Sequence, residues 1–154
     1  MLKQTMIIAT IILFLSACGE TPIERKFDRD PSLSADLPFS SAVIVGDVIY
    51  LSGEIGRAPG AMTIVEGGVG AQTRQIFENY HVTLTRLGSS LSDIVKCTIF
   101  LDDMDDYAEM NTAYAAAFPG DKPARSTLGV DGLALGADLE IECLAVKTNA
   151  PAHK

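Results

Sequence analysis

The chain has 154 residues, of which 47% are hydrophobic and 21% are charged, and its formal net charge at pH 7 is −8. This length and apolar content predict one compact domain with a short appendage. The acidic balance disfavours nucleic-acid binding, because a negatively charged surface repels phosphate backbones and no basic stripe with interleaved aromatic residues offsets it. Three cysteines are too few for a disulfide framework.

The first segment predicts where the protein is located. Met1 to Ala17 carries one basic residue, Lys3, and then an apolar run that is short for a membrane span and has the form of a secretory signal peptide. Leu15 to Cys18 (LSAC) resembles the lipobox of bacterial lipoproteins, in which the cysteine is acylated. We therefore predict residues 1–18 to be a lipoprotein signal peptide with Cys18 as the lipidation site, and membrane contact through this lipid anchor only. An uncleaved membrane anchor, or an ordinary signal peptide with a chance cysteine, is the alternative.

A polar stretch follows the cysteine. Gly19 to about Asp36 contains two prolines and shows no apolar period, which predicts a flexible tether over residues 19–36. Gly19, rather than an aspartate, follows the cysteine, which is typical of an outer-membrane address. We therefore predict an exported protein on the periplasmic face. The folded domain is predicted over residues 37–148, and residues 149–154 form a tail.

The first half of the domain predicts a hairpin and a helix. Ala42–Val45 and Val48–Ser52 are β-branched runs separated by Gly46-Asp47, a strong hairpin pattern. From about Val69 to Leu87 the apolar residues recur at helical spacing, and Gly88 stands at the position of a carboxyl-terminal cap.

The second half predicts a strand, a helix and two further strands. Ile94 to Leu101 is the strand, and Asp102 to Asp106 then supplies acidic caps for a helix over Tyr107 to Phe118. The last two strands are Ser126 to Val130 and Ala137 to Val146.

The predicted order is β-β-α-β-α-β-β, which favours an α+β sandwich of two layers with both helices on one face of the sheet. The strands CTIFL and IECLAV leave the other face apolar. An uncovered apolar face of this kind is usually an interface between subunits, so the pattern predicts assembly without giving the number of subunits.

Two residues stand out as candidates for chemistry. Arg125 follows a proline turn at the head of one predicted strand, and Glu140 lies in the next. If those strands pair, the two side chains converge on one site. The arginine fork suits a substrate carboxylate, and a glutamate can steer or activate a water molecule. The alternatives are a structural ion pair at Arg125, and a Glu140 that is solvent-exposed or paired with Arg125 without chemistry.

No metal site is predicted. His81 lies on a helix without a neighbouring histidine or cysteine, and the aspartates between residues 102 and 106 lack the ligand spacing of a calcium loop. Cys97 and Cys143 lie in the middle of strands and are interpreted as small buried hydrophobic residues. A bond between them is conceivable in an oxidising compartment.

Four stretches of the chain together resemble the Rid proteins, also called the YjgF/YER057c/UK114 family. They are LPFSSAV (37–43), YLSGEI (50–55), DIVKCTIFL (93–101) and PARS (123–126) leading to EIE (140–142). QTRQ (72–75) and DYAEMN (106–111) also fit, and order and spacing agree from about Asp36 to Lys147. The resemblance implies a chorismate-mutase-like fold, a mixed sheet with two helices on one face. It also implies a homotrimer with clefts between subunits.

The same resemblance implies an activity. Many members hydrolyse reactive 2-imino acids or their enamine tautomers, such as 2-iminobutanoate and 2-iminopropanoate, to 2-oxo acids and ammonia. No cofactor or metal is needed. Carried over to this chain, Arg125 would grip the substrate carboxylate, and Glu140 would hold and polarise the attacking water.

Further positions are implied to bind the substrate. The backbone at Ser52-Gly53 would line the pocket, with Asn111 close by on the second helix. Thr127 stands where many members have a cysteine, and Phe39 replaces a tyrosine found in many members. The alternative function is a trimer in the periplasm that binds small carboxylates or acts like a chaperone without turnover. Phe39 and export favour this alternative, whereas the intact Arg125 and Glu140 favour the enzyme.

Overall fold

A computed structural model describes residues 22–148. The predicted signal peptide with Cys18, the start of the predicted tether and the tail from residue 149 lie outside the described residues. Within residues 22–148, no helix is long and apolar enough to cross a membrane. The elements in chain order are β1 (Arg25–Asp28), β2 (Ala42–Val45), β3 (Val48–Leu51), β4 (Glu54–Ile55), α1 (Gly68–Arg86), β5 (Ile94–Leu101), α2 (Tyr107–Ala117), β6 (Ala124–Gly129) and β7 (Leu139–Val146).

The seven strands form one mixed sheet in the order β1-β2-β3-β7-β5-β6, and the short β4 also pairs with β7. Only β5 and β6 run parallel. Helix α2 connects these two strands, because parallel neighbours need a crossover that a tight turn cannot supply. The two helices lie on one face of the sheet, which confirms the predicted two-layer α+β architecture.

The predicted local elements are largely confirmed. The β2–β3 hairpin turns at Gly46-Asp47, where Val45 pairs with Val48 and Gly46 has a φ of 59° that suits glycine. Helix α1 occupies the predicted range within one residue at each end, and β5 has the predicted bounds. Helix α2 begins at Tyr107 as predicted and ends one residue earlier.

The predicted tether is wrong over Arg25–Asp28. This segment is strand β1, which pairs antiparallel with β2, and the Asp28 carboxylate accepts a hydrogen bond of 2.6 Å from the Arg86 guanidinium on α1. The folded part therefore begins by Arg25 and not near Leu37. Strand β1 escaped sequence analysis because Phe27 is its only apolar residue. As an edge strand, it pairs on one side only.

The last two strands do not pair with each other. Strand β5 lies between β6 and β7, so that Cys97 of β5 pairs with Arg125 on one side and with Cys143 on the other. The sequence pattern predicted which segments form strands. It carried no information on the crossover that places β6 beside β5, at the edge of the sheet.

One core lies between the helices and the sheet. Ile76 and Leu84 of α1 and Met110 of α2 are fully buried with Ile99 of β5 and Ile141 of β7. The opposite face of the sheet carries large apolar side chains that remain exposed in a single chain, among them Phe27, Tyr50 and Leu128. We call this surface the open face.

Cys97 and Cys143 form a disulfide across β5 and β7. Both residues are buried in the core, as predicted, but they are not free thiols. The bond joins the two central strands of the sheet across 46 residues of chain.

Candidate functional site

Glu140 lies on β7, opposite Ile55 of the short β4 strand. Its side chain is half-buried and approaches the backbone of Gly53. A β-carbon on Gly53 would overlap the carboxylate oxygen Oε1 of Glu140 and lie 2.9 Å from Cδ. Glycine is therefore required at this position for the carboxylate to adopt its conformation. Burial, followed by the negative charge of Glu142, raises the pKa of the Glu140 carboxyl above its ordinary value.

Tyr80 of α1 contacts the backbone next to Gly53 and next to Glu140. Its hydroxyl lies within hydrogen-bond distance of the carbonyl oxygens of Ser52 and Ile141. Burial, and then the charges of nearby glutamates, keeps the pKa of Tyr80 well above its usual value, so the hydroxyl remains a donor. The Ser52 hydroxyl donates in turn to the carbonyl of Ser40. These contacts hold the Ser52-Gly53 segment beside Glu140.

Glu140 opens into a cavity of about 470 Å³, which we call the glutamate cavity. Ser52, Gly53 and Phe39, which were predicted to bind substrate, line it together with Glu140. A volume of this size is within the range of small-molecule sites. The structure therefore brings four of the sequence-predicted site residues together.

The glutamate cavity also contains an ion pair that sequence analysis missed. Arg57 lies 3.4 Å from Glu54, and both side chains are largely buried. Asn79 donates a hydrogen bond of 3.1 Å to Glu54. Burial raises the pKa of Glu54 more strongly than the positive charge of Arg57 lowers it. Glu54 lies within the YLSGEI stretch, but the sequence analysis gave it no role, and Arg57 lies outside the quoted stretches.

Arg125 lies elsewhere, beneath α2. Its guanidinium carbon is 4.8 Å from the centre of the Tyr114 ring and 5.6 Å from the centre of the Tyr107 ring. Its Nη2 donates a hydrogen bond of 3.1 Å to the Tyr107 hydroxyl. Such cation–π contacts hold a guanidinium without neutralising it. Among the residues that the structure describes, no carboxylate lies within 4.0 Å of Arg125. The structural ion pair considered for this residue is therefore not formed.

Two further polar groups lie close to Arg125. Thr127 follows it on the same face of β6, and its hydroxyl is buried without a hydrogen-bond partner within residues 22–148. The hydroxyl of Tyr114, over whose ring the arginine lies, is likewise buried without a partner in this part of the chain. Asn111 lies on the same helix and is half-buried. We call this group around Arg125 the arginine half-site.

The side chains of Arg125 and Glu140 point to opposite faces of the sheet. Arg125 is in register with Cys97, which is buried beneath the helices. Glu140 follows Leu139 and precedes Ile141, both of which point to the helices, so its own side chain points to the other face. Pairing of their strands, the condition under which Arg125 and Glu140 would converge within one chain, is therefore not met. A single ligand can contact both groups only if two copies of the chain contribute.

Residues 22–148 contain no group of three or more histidine, cysteine or acidic side chains that could hold a metal ion. The groups available for chemistry at these two places are Arg125, the half-buried Glu140, the Arg57–Glu54 ion pair and several hydroxyl groups. Together with a small cavity, these define an α+β domain suited to small anionic molecules.

Comparison with known proteins identifies the family of this domain. The Endoribonuclease L-PSP family matches residues 30–147. The mitochondrial protein mmf1 of Schizosaccharomyces pombe is 44% identical over 131 residues, which are 83% of this chain and 76% of that protein. The 2-iminobutanoate/2-iminopropanoate deaminase of Mus musculus is 37% identical over 110 residues, which are 71% of this chain and 82% of that protein.

Solved structures show the same fold. Yeast Mmf1 has a TM-score of 0.70 and 38% identity, covering 83% of this chain and 98% of that chain. The YjgF gene product from E. coli has a TM-score of 0.72 and 32% identity, covering 79% of this chain and 98% of that chain. The chain therefore belongs to the Endoribonuclease L-PSP family, the Rid (YjgF/UK114) proteins.

Proposed function

We propose that this protein hydrolyses reactive 2-imino acids, or their enamine tautomers, to 2-oxo acids and ammonia. The observation that carries the proposal is Glu140, a half-buried carboxylate with a raised pKa that faces a small cavity. Relatives named 2-iminobutanoate/2-iminopropanoate deaminase, from mouse and rat, support the same reaction.

The proposed reaction needs only the groups described. Arg125 binds the substrate carboxylate through its guanidinium fork, which orients the imine carbon. Glu140 takes a proton from a water molecule as the water oxygen bonds to that carbon, and the two electrons of the C=N π bond move to nitrogen. The protonated Glu140 returns this proton to the nitrogen, which gives a carbinolamine. Glu140 then takes the hydroxyl proton and passes it to the nitrogen as the C–N bond breaks, so that ammonia leaves and the carbonyl forms. A raised pKa makes Glu140 a stronger base for the first step.

We infer further that the active assembly is a homotrimer with each site between two subunits. The open face supports assembly, because large exposed apolar surfaces are rare on monomers. The separation of Arg125 and Glu140 on two faces supports a shared site. In such a site, Arg125, Thr127 and Asn111 of one copy meet Ser52, Gly53 and Glu140 of the next.

We also propose that the protein is exported and anchored to a membrane by lipid on Cys18. The support is the sequence of residues 1–18 alone. Mass spectrometry of the protein purified from membranes tests it, since the amino-terminal peptide should begin at Cys18 and carry acyl chains. An amino terminus at Met1, or an unmodified Cys18, would contradict the proposal.

The activity is tested with 2-iminobutanoate and 2-iminopropanoate generated in situ by an amino-acid oxidase. Release of 2-oxo acid is measured with the wild-type domain and with Arg125→Ala and Glu140→Gln. We expect acceleration by the wild type and loss of at least a hundredfold in either variant, because each removes a group that acts on the substrate. Arg74→Ala, which removes an exposed arginine of α1, should behave as the wild type.

Full activity in Arg125→Ala would contradict the proposed mechanism. No acceleration by a folded wild-type protein would favour the second candidate function, a binding protein for small carboxylates. Phe39 supports that candidate, because this wall of the cavity lacks the hydroxyl found in many members. Thermal stabilisation by 2-oxo acids in the absence of turnover would then identify a binding protein.

A further inference from the structure

Three exposed apolar side chains converge on the glutamate cavity from three separate loops. Phe39 comes from the segment before β2, Met62 from the loop between β4 and α1, and Leu135 from the loop between β6 and β7. Their side chains are 49%, 67% and 50% exposed, respectively. Isolated exposed apolar residues are common, but three that meet at one cavity indicate a surface that contacts an apolar group. We call these residues the apolar rim.

Leu135 is held in a conformation that leucine rarely adopts. Its φ of 59° and ψ of 16° lie in the left-handed region, and it is the only non-glycine residue with positive φ within residues 22–148. Two backbone hydrogen bonds bracket it, from Gly136 to Leu133 and from Ala137 to Ala134. Strain that the surrounding structure maintains in this way is common at ligand sites. The conformation fixes the isobutyl group at the cavity that contains Glu140.

The charges in the cavity disfavour an acidic side chain on the ligand. Arg57 lies 3.4 Å from Glu54, and its Nη1 has no hydrogen-bond partner within residues 22–148. Three acidic residues line the same cavity, namely Asp30, Glu54 and Glu140. Burial raises the pKa of Asp30, but hydrogen bonds from Ser32 and the charges of Arg86 and Arg57 together lower it by more, so Asp30 adds a negative charge. Leu33 and Leu37 add further apolar wall.

The volume of the cavity exceeds what the smallest 2-imino acid fills. The cavity measures about 470 Å³ in a single chain, before a second copy contributes to it, and 2-iminopropanoate offers only a methyl group beyond its reacting atoms. We propose that the apolar rim is the specificity element of this enzyme, and that Leu135 selects 2-imino acids with larger apolar side chains, such as the one derived from leucine. This inference rests on the proposed deaminase activity and names its substrate class.

The test compares kcat/KM for the 2-imino acids derived from leucine and from alanine. The wild type should prefer the leucine-derived substrate by at least about tenfold, because each methylene contact in an apolar pocket changes specificity by about 10-fold or more. Leu135→Asn should lower that ratio at least fivefold, since asparagine tolerates the left-handed conformation but presents an amide. Val82→Asn makes the same kind of change at an exposed position of α1 outside the cavity and should leave the ratio unchanged.

Three results would overturn the inference. The first is a wild-type ratio near one, and the second is an unchanged ratio in Leu135→Asn. The third is a change in the mass of the assembly when Leu135→Asn is examined by light scattering. That result would mean that a second copy of the chain, and not the substrate, covers the rim.

A binding measurement separates this inference from the proposed activity. If neither imine is hydrolysed, the deaminase proposal fails, and calorimetry with 4-methyl-2-oxopentanoate and pyruvate tests the rim alone. Tighter binding of the larger oxo acid, reduced in Leu135→Asn, would support the specificity of the rim. Equal binding of the two oxo acids would overturn it.

Discussion

At Glu140, two effects on the carboxyl group act in the same direction. Removal from water disfavours the charged form, and the negative charge of Glu142, two residues along the same strand face, disfavours it further. Both raise the pKa of Glu140. A general base works only when it is deprotonated, so activity should fall as the pH drops through this raised pKa.

Glu142→Gln tests the contribution of the neighbouring charge. Removing a like charge lowers the pKa of Glu140, so the base form persists to lower pH. The acid limb of the kcat/KM profile for 2-iminobutanoate hydrolysis should therefore move toward lower pH. Glu78→Gln, on the exposed surface of α1, should leave the profile in place. An acid limb that stays fixed, or moves upward, in Glu142→Gln would contradict this account.

Gly53→Ala tests the close approach of the backbone to Glu140. The added methyl group occupies the position of the carboxylate oxygen, and the glutamate side chain must turn away. We expect kcat/KM to fall on the order of a hundredfold, as for other displacements of about 1 Å. The unfolding temperature should change little, because only a flexible side chain moves.

Gly120→Ala is the matched control for this change, since a β-carbon at Gly120 meets no atom within 4 Å. It should leave both activity and stability near the wild-type values. Normal activity in Gly53→Ala would mean that the carboxylate conformation in the structure is not the one used in catalysis.

Sequence motifs predicted several residues that line the glutamate cavity, but not the residues that hold those in place. Ser52, Gly53 and Glu140 share a cavity as expected. Tyr80 was missed because an apolar ring at helical spacing is typical of a core residue, and nothing in the sequence marks the two carbonyl groups that its hydroxyl reaches. The left-handed conformation of Leu135 was also missed, because leucine gives no local signal for positive φ.

At the scale of elements, hydrophobic period predicted where strands lie but not how they are ordered. Strand β5 is a mostly apolar run of eight residues and was predicted with its observed bounds. Strand β1 has one apolar residue in four and was assigned to the tether. The pairing of β5 with β6 depends on the path of α2 across the sheet. That path is a tertiary property, which alternation within a strand does not encode.

The disulfide between β5 and β7 should contribute to stability. Closing a loop across 46 residues of chain restricts the unfolded state, and such bonds typically contribute about 2–4 kcal/mol. The wild-type domain should therefore unfold at lower urea concentration in the presence of a reductant strong enough to act on the unfolded chain. The double variant Cys97→Ala, Cys143→Ala should be less stable and insensitive to the reductant. Equal urea midpoints for the wild type with and without reductant would argue against this stabilisation.

At the scale of the whole molecule, the proposed shared site can be tested by complementation. Arg125→Ala supplies a normal Glu140, and Glu140→Gln supplies a normal Arg125. When the two variants are refolded together in equal amounts, about a quarter of the sites in a closed ring should combine both normal residues. We therefore expect about a quarter of wild-type activity from two variants that are inactive alone.

The control is a mixture of the same two variants that were folded separately. The mixture is assayed before its subunits can exchange. It should remain inactive. If the co-refolded mixture shows no more activity than the separate variants, Arg125 and Glu140 do not act on one substrate from different copies.

The position of Arg125 and Glu140 on opposite faces of the sheet has a consequence for regulation. In the proposed shared site, a newly made single copy would hold Arg125 and Glu140 apart and would not turn substrate over. Specific activity should then rise with protein concentration until assembly is complete. An isolated chain should be inactive. The concentration of the protein, without any added effector, would thus determine whether 2-imino acids are hydrolysed.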